Sequence, residues 1–429
     1  MLNKYSFFLS LSLLFLGCTQ NPVTPTNDES SDSFPRAPFI SNTANDSPTA
    51  TLHALLISDT LDNSPEEDKK ELVRKGFEQD LKQMEELVDD ISTHTGLRKN
   101  LAIIKGETLK KGKGHQAVTQ AMDSWNIHPE DIVIFYYSGH GARRDDKISP
   151  WPFLYVEGNG QPKVLDTDSV INRLSNQSPK FFAVIIDACN QNVPASKTPD
   201  IKGPGNIIND NYSRLFLEHR GYFIASASQP GEYAFSAGEN GGKFTGQFLG
   251  SLQEQLRSSN PDWTIVKGGA GKTIVLSENE AGQSSQTPYI DSVIYTGKLE
   301  MELLPSQQFK VGENMKISIK NQSTEKGYLL VWDLGSQKKL TAIFPNQYSK
   351  SDLFLDGGQT VTIPETDSYD LPMDDLLGTG YIIAIWLKNK IELNSSAIPV
   401  TTLMGLQKYF DQQVGAGNWS MTVSNYEVH

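Results

Sequence analysis

Residues 131–141 read DIVIFYYSGHG, and residues 181–190 read FFAVIIDACN. Each is an apolar run of strand length, rich in β-branched and aromatic residues, that ends abruptly in small and polar ones. Strands apolar on both faces belong to parallel sheets covered by helices on both sides. In such sheets the chemistry gathers beyond the carboxyl ends of the strands. His140 and Cys189 stand just past those two ends. A thiol reacts as its thiolate. A facing imidazole can take the thiol proton and later protonate a leaving amine. The glycines flanking His140 let backbone approach a substrate closely. The N–H groups of Gly141 and Cys189 are then candidates to polarise a scissile carbonyl as an oxyanion hole.

The surrounding sequence repeats the strand–helix pattern. His53–Ile57, Leu101–Ile104 and Tyr222–Ala225 are further short apolar runs. Phe77, Leu81, Met84, Leu87, Val88 and Ile91 recur at helical spacing, and Gly96 stops that helix. Ala117, Ala121, Met122 and Trp125 suggest a second helix ending before Pro129. Two more are expected around Asp168–Leu174 and Phe244–Leu256. Gly268–Gly271 and Ser277–Gln286 have loop character. Apolar strands separated by helices predict βαβ units, hence an α/β domain with a mostly parallel sheet over residues 51–295.

The segments YYSGHG (136–141) and IIDAC (185–189) resemble the His and Cys motifs of the caspase-like cysteine peptidases, most closely the metacaspase and bacterial orthocaspase branch. Cys189 follows His140 by 49 residues, against roughly 50 in caspases. GET (106–108), PED (129–131), FIASASQPGEYAFS (223–236) and GGKFTGQFLGSL (241–252) extend the resemblance over about residues 51–295. It implies a helix-flanked, mostly parallel sheet and an endopeptidase with Cys189 as nucleophile and His140 as base and acid. Asp187 stands where the metacaspase branch has an acidic residue lining the S1 pocket. This implies cleavage after Arg or Lys, because a carboxylate in a desolvated pocket selects a cation through charge-assisted hydrogen bonds. Glu232 is a candidate second carboxylate for substrate binding.

The chain also departs from the family. Asn190-Gln191-Asn192 replaces the His-Ser-Gly common after the metacaspase cysteine, and SDTLDNSPEED (58–68) lacks both the Gly-rich turn and the Asn-Asp pair usual in the family. These departures motivate the alternative of a catalytically inactive caspase-fold binding protein. The stretch 190–211, with Lys197 and Lys202 among prolines and glycines, is expected to be an exposed loop open to self-cleavage. No cofactor is called for. Calcium dependence occurs in the family, but no EF-hand-like spacing is present.

Residues 1–18, MLNKYSFFLSLSLLFLGC, read as a secretory signal: Lys4, then an apolar run too short to span a bilayer comfortably. Gly17-Cys18 resembles a bacterial lipobox, which implies lipidation of Cys18 and a tether to the cell envelope, with Thr19 favouring the outer membrane. Residues 19–50 follow as a flexible linker. Of these 32 residues, 22 are Ser, Thr, Pro, Asn or Asp, which leaves no apolar face to bury.

From about residue 296 the pattern changes to short strands and turns. Met315–Lys320 alternates strictly, and Tyr328–Asp333, Leu340–Phe344, Gln359–Pro364 and Tyr381–Leu387 follow. An antiparallel β-sandwich domain over 296–429 is expected. It resembles the β-rich domain of unknown function appended to bacterial caspase-like proteins. The tail 405–429 gives no usable signal. The net charge of −13 leaves no excess of Lys and Arg to neutralise phosphates, which argues against nucleic acid as partner. Two cysteines exclude a disulfide framework. The partner expected is a peptide or protein substrate with basic residues.

Overall fold

The computed structural model describes residues 50–59, 67–144, 146–156, 164–189, 207–235, 238–275, 285–349, 353–365, 369–373, 377–391 and 402–429. The Cys18 segment, almost all of the 19–50 linker, most of the 190–211 stretch with Lys197 and Lys202, and residues 277–284 lie outside them. Among the described residues no helix is long and apolar enough to cross a membrane. The chain from Pro48 onward forms one compact unit.

Its N-terminal half runs β1 (Thr51–Ser58), α1 (Glu67–Thr95), β2 (Arg98–Lys105), α2 (Gly114–Asp123), β3 (Ile132–Ser138), α3 (Thr167–Gln177), β4 (Phe181–Asp187), α4 (Asp210–Phe216), β5 (His219–Ser226), α5 (Lys243–Leu256), α6 (Trp263–Ala270) and β6 (Tyr289–Thr296). These strands form one sheet in the order β6-β5-β4-β3-β1-β2. All pairs are parallel except β6 against β5. Every residue of β3 and β4 is buried, as their unbroken apolar sequence demands. Alternate side chains serve opposite faces. Leu56, Ile134, Tyr136, Ala183 and Ile185 meet α1, α4, α5 and α6. Ile57, Val133, Phe135, Tyr137, Val184 and Ile186 share the other core with α2 and α3.

The C-terminal half is mostly antiparallel. β7 (Leu299–Leu304), β8 (Lys316–Asn321) and β11 (Thr360–Ile363) make a small sheet. A larger one contains β9 (Gly327–Leu334), β10 (Leu340–Phe344), β12 (Gly378–Leu387) and β13 (Trp419–Val428), in the order β13-β12-β9-β10. β9 shows why they stack. Leu329 and Val331 face the small sheet, with Ile317, Ile319 and Trp386. Tyr328, Leu330 and Trp332 point the other way, into the same core as Phe182 and Tyr222 of the parallel sheet. The large sheet is therefore buried on both faces, and the two halves share a continuous core.

Three differences from the sequence reading follow from local physics. The tail is not featureless: α7 (Leu403–Val414) and strand β13 fill it. Leu403, Leu406 and Phe410 lie on one buried helical face, and the Thr402 hydroxyl caps the Gly405 amide. Gly268–Ala270 belong to α6 rather than to a loop, because Val266 and Ala270 are buried and Asp262 caps the helix start. Strand β6, half-exposed along one side, returns antiparallel and closes the sheet edge.

The shared core makes a prediction. Phe410 is fully buried against Trp332 and Trp419, with ring centroids 5.7 and 5.9 Å away. Phe410→Ala is expected to cost about 3–5 kcal/mol. Calorimetry should show one unfolding transition for residues 48–429, shifted as a whole. Two transitions with only one displaced would contradict the continuous core.

Candidate active site

Register decides which side chains meet. In the β3–β4 pair Ser138 lies opposite Asp187, and the Gly139 amide donates to the Asp187 carbonyl at 3.1 Å. His140 and Cys189 are each two residues beyond that pair. Parallel neighbours run roughly 5 Å apart, so both residues leave the sheet at a common edge. Gly141 confirms the closeness of the two loops. A Cβ on it would come within 2.5 Å of the Cys189 carbonyl oxygen and 2.8 Å of Ala188 Cβ. No side chain fits there.

The His140 loop is tied down from both sides. Tyr137 Oη donates to the His140 carbonyl at 2.6 Å and to that of Tyr155 at 2.9 Å. Burial holds the Tyr137 hydroxyl far above its ordinary pKa, so it remains a donor. The Tyr155 amide also donates to the His140 carbonyl, at 3.0 Å. Gly141 pairs antiparallel with Leu154. That amide contact makes 141/154 the non-hydrogen-bonded pair, so the Gly141 N–H points away from this ladder. The ring of Phe77 meets the imidazole edge-on, with centroids 6.0 Å apart.

Cys189 is half-buried and not disulfide-bonded. The Ala234 amide donates to its Sγ at 3.4 Å, and Sγ lies 3.7 Å from the Ala234 carbonyl oxygen. Burial raises the thiol pKa above its usual value, and the Asp187 charge adds to the rise. The resting group is therefore a thiol rather than a thiolate, and its use as a nucleophile requires a base.

Beneath the pair lies a polar niche. Asp187 is 5% exposed and Asp80 of α1 is 0% exposed. Asp187 Oδ2 accepts from the Thr245 amide at 2.9 Å and its hydroxyl at 2.8 Å. Asp80 accepts from Ser138 Oγ at 2.7 Å and from the Gly242 amide at 2.8 Å. The two carboxylates thus cap the N-terminus of α5, where the helix dipole favours negative charge. The turn before α5 must be glycine. A Cβ would lie 2.1 Å from Asp80 Oδ1 at Gly241, whose φ is +94°, and 2.0 Å from Asp187 Oδ2 at Gly242. Burial lifts the Asp187 pKa to about 6. Burial, then the Asp187 charge, pushes Asp80 well above the usual carboxylate range. No lysine or arginine among the described residues pairs with either one.

Glu232 occupies a different place. Its carboxylate accepts from the Thr287 amide at 2.7 Å and the Gln229 amide at 3.4 Å. It braces the loop after β5 against the approach to β6. Tyr137, Ser138 and Ala234 lie within the quoted motifs without a role assigned to them, and Asp80 lies outside every motif. Asp80 had a signal: it falls on the apolar stripe of α1, between Phe77 and Met84, where a charge is out of place. Among the described residues no group of three or more His, Cys, Asp and Glu is placed to hold a metal.

A family model for the caspase domain matches residues 53–295, more than half of the chain. The chain belongs to the caspase-domain peptidase family. Residues 308–390 match the domain of unknown function DUF4384. Among solved structures, a Geobacter sulfurreducens protein from structural genomics shares 14% identity, covering 56% of this chain and 93% of its own, with a TM-score of 0.33. Caspase-1 of Spodoptera frugiperda shares 13% identity over 57% of this chain and 86% of its own, with a TM-score of 0.34. No curated protein matches the chain.

The acidic niche predicts a stability effect. The folded-state pKa of Asp187, about 6, lies above the ~3.9 of an unfolded chain. Between those values the folded state holds the extra proton, so stability falls as pH rises through that window. Above it the full penalty is present. Asp187→Asn is expected to stabilise the protein at pH 8 by roughly 1–3 kcal/mol, with little gain below pH ~4. Urea unfolding at both pH values measures this. An equal effect at both would contradict the reading.

Proposed function

We propose that the protein is a cysteine endopeptidase that cleaves after Arg or Lys. In this reading His140 removes the Cys189 proton. The thiolate attacks the scissile carbonyl, and the oxyanion is received by the N–H groups of Gly141 and Cys189. The imidazolium then protonates the leaving amine, which leaves a thioester on Cys189. Water, deprotonated by His140, hydrolyses the thioester and restores the thiol. The raised thiol pKa fits this order, with proton transfer to the base accompanying attack.

The observation that carries the specificity is the buried Asp80–Asp187 pair without a cationic partner among the described residues. Two carboxylates sharing a desolvated niche repel, and a substrate guanidinium or ammonium relieves that repulsion. Asp187 is the carboxylate that the motif pointed to, and Asp80 rather than Glu232 accompanies it. The Gly241–Gly242 turn over the niche is the element that must give way for a side chain to enter.

Peptides with Arg, Lys, Asn or Asp at P1 test the proposal against Cys189→Ala and His140→Ala. Turnover of the Arg and Lys peptides alone is expected, falling by at least ~10²-fold in either variant. kcat/KM for the Arg peptide should rise with pH through about 6, as Asp187 ionises. Undiminished rates in Cys189→Ala would remove the site assignment. Absence of turnover on all four would leave the non-cleaving binding protein.

We also propose that Cys18 carries a lipid that tethers the protein to the cell envelope, at the outer membrane and facing the periplasm or the exterior. Gly17-Cys18 after an apolar run supports it. Fatty-acid labelling in a bacterial host should mark the wild type and not Cys18→Ala. Equal labelling of both would contradict it.

A further inference from the structure

The loop that follows β5, residues 227–235, is held against Cys189 by a side chain from a distant part of the chain. Gln286 belongs to a short strand, Ser285–Gln286, that pairs antiparallel with Ile274–Val275 beyond α6 and leads towards β6. Gln286 is 0% exposed. Its Nε2 donates to the Ala227 carbonyl at 2.8 Å, and its Oε1 accepts from the Phe235 amide at 2.9 Å. One side-chain amide thus clasps both ends of the loop. Ser228, equally buried, adds a second tie. Its hydroxyl donates to the carbonyl of Ala188, the neighbour of Cys189, at 3.2 Å.

The clasp matters because of what shares a peptide plane with it. In a trans peptide the N–H and the C=O point in opposite directions. The Phe235 N–H points at Gln286, so the Ala234 carbonyl on that plane points away from it, and its oxygen lies 3.7 Å from Cys189 Sγ. The Ala234 N–H, one plane earlier, donates to the same sulfur at 3.4 Å. The carbonyl suits the protonated thiol. The amide suits the thiolate, and its bond strengthens as the proton leaves. Burial raises the thiol pKa, and the Ala234 amide opposes that rise. Without the Gln286 side chain the Phe235 amide and the Ala227 carbonyl lose a buried partner, a cost the loop can reduce only by shifting.

We propose that Gln286 and Ser228 are positioning residues: they fix the 227–235 loop so that the Ala234 N–H meets the Cys189 sulfur and stabilises its thiolate. They act through the Ala234 backbone. The proposal rests on Cys189 as the nucleophile and adds to that reading the means by which a buried thiol is made easier to ionise.

Alkylation of the full-length chain by iodoacetamide, followed at Cys189 by peptide mass spectrometry from about pH 5 to about pH 10, tests it, because the rate follows the thiolate fraction. Gln286→Met keeps the length of the side chain and removes both hydrogen bonds. Its curve is expected to move to higher pH, with the rate near neutral pH falling roughly three- to tenfold and the high-pH plateau little changed. Ser228→Ala should move the curve the same way by less, and this small change decides the matter should Gln286→Met not fold. The titratable groups of the region, Asp187 and Asp80 beneath, Asp59, Tyr137 and His140 at the neighbouring strand ends and Glu232 on the loop itself, are the same in every variant. A purely structural role would lower the unfolding midpoint and leave the alkylation curve of the folded chain in place. Curves that coincide with the wild type in every variant that folds, or alkylation that accelerates at all pH values, overturn the proposal. A shift in Gln286→Met alone overturns the part given to Ser228. The readout needs no peptide substrate. A wild type that cleaves no peptide while the curves shift as expected contradicts the proteolytic reading and not the positioning, and coincident curves in a chain that cleaves peptides do the reverse.

Discussion

The hydrogen-bonded register between two parallel strands is the constraint on which the site rests. Ser138 faces Asp187, and the chain on each side then has two residues in which to leave the sheet. A shift of one residue would turn each following side chain to the other face. Apolar burial along both strands prevents that slip, because every position of β3 and β4 is packed on one layer of helices or the other. The backbones of His140 and Cys189 thus leave the sheet where the packed core fixes the two strand ends. Gly141 is the local consequence: two loops leaving adjacent strands so closely leave no room for a Cβ between them.

The same register places an acidic side chain under the thiol, and this is where stability is given up. Asp187 and Asp80 are buried, and among the described residues they are satisfied by amides, hydroxyls and the end of α5 alone. A more stable protein would neutralise one of them. Buried groups with strongly displaced pKa values cluster at functional sites because the displacement is what a ligand relieves.

Much of this was legible in the sequence, for physical reasons. DIVIFYYSGHG and FFAVIIDACN announce buried strands that end abruptly in small and polar residues, and the observed strands Ile132–Ser138 and Phe181–Asp187 agree with them closely. The parallel sheet and the strand-rich second half were equally readable, since period and length distinguish a covered parallel strand from a half-buried antiparallel one. Contacts made across long separations were not. Asp80 meets Ser138 and Gly242 through the packing of α1 and α5, which no local spacing encodes. Ala234 reaches Cys189 from a loop 45 residues away. The tail did carry a signal in Leu403, Leu406 and Phe410, followed by alternation from Trp419, but interspersed polar residues diluted it. The shared core also had a signal, since Tyr328–Trp332 and Tyr381–Leu387 are apolar on both faces and such strands must be covered twice.

The most direct measurement of the central claim is covalent capture. A peptidyl fluoromethyl ketone with arginine at P1 should alkylate the protein at Cys189, located by peptide mass spectrometry. The labelling should slow strongly in His140→Ala and hardly occur with an aspartate-bearing reagent. Label appearing elsewhere, or at Cys189 at the same rate without the imidazole, would show that the two strand ends do not form one reacting pair.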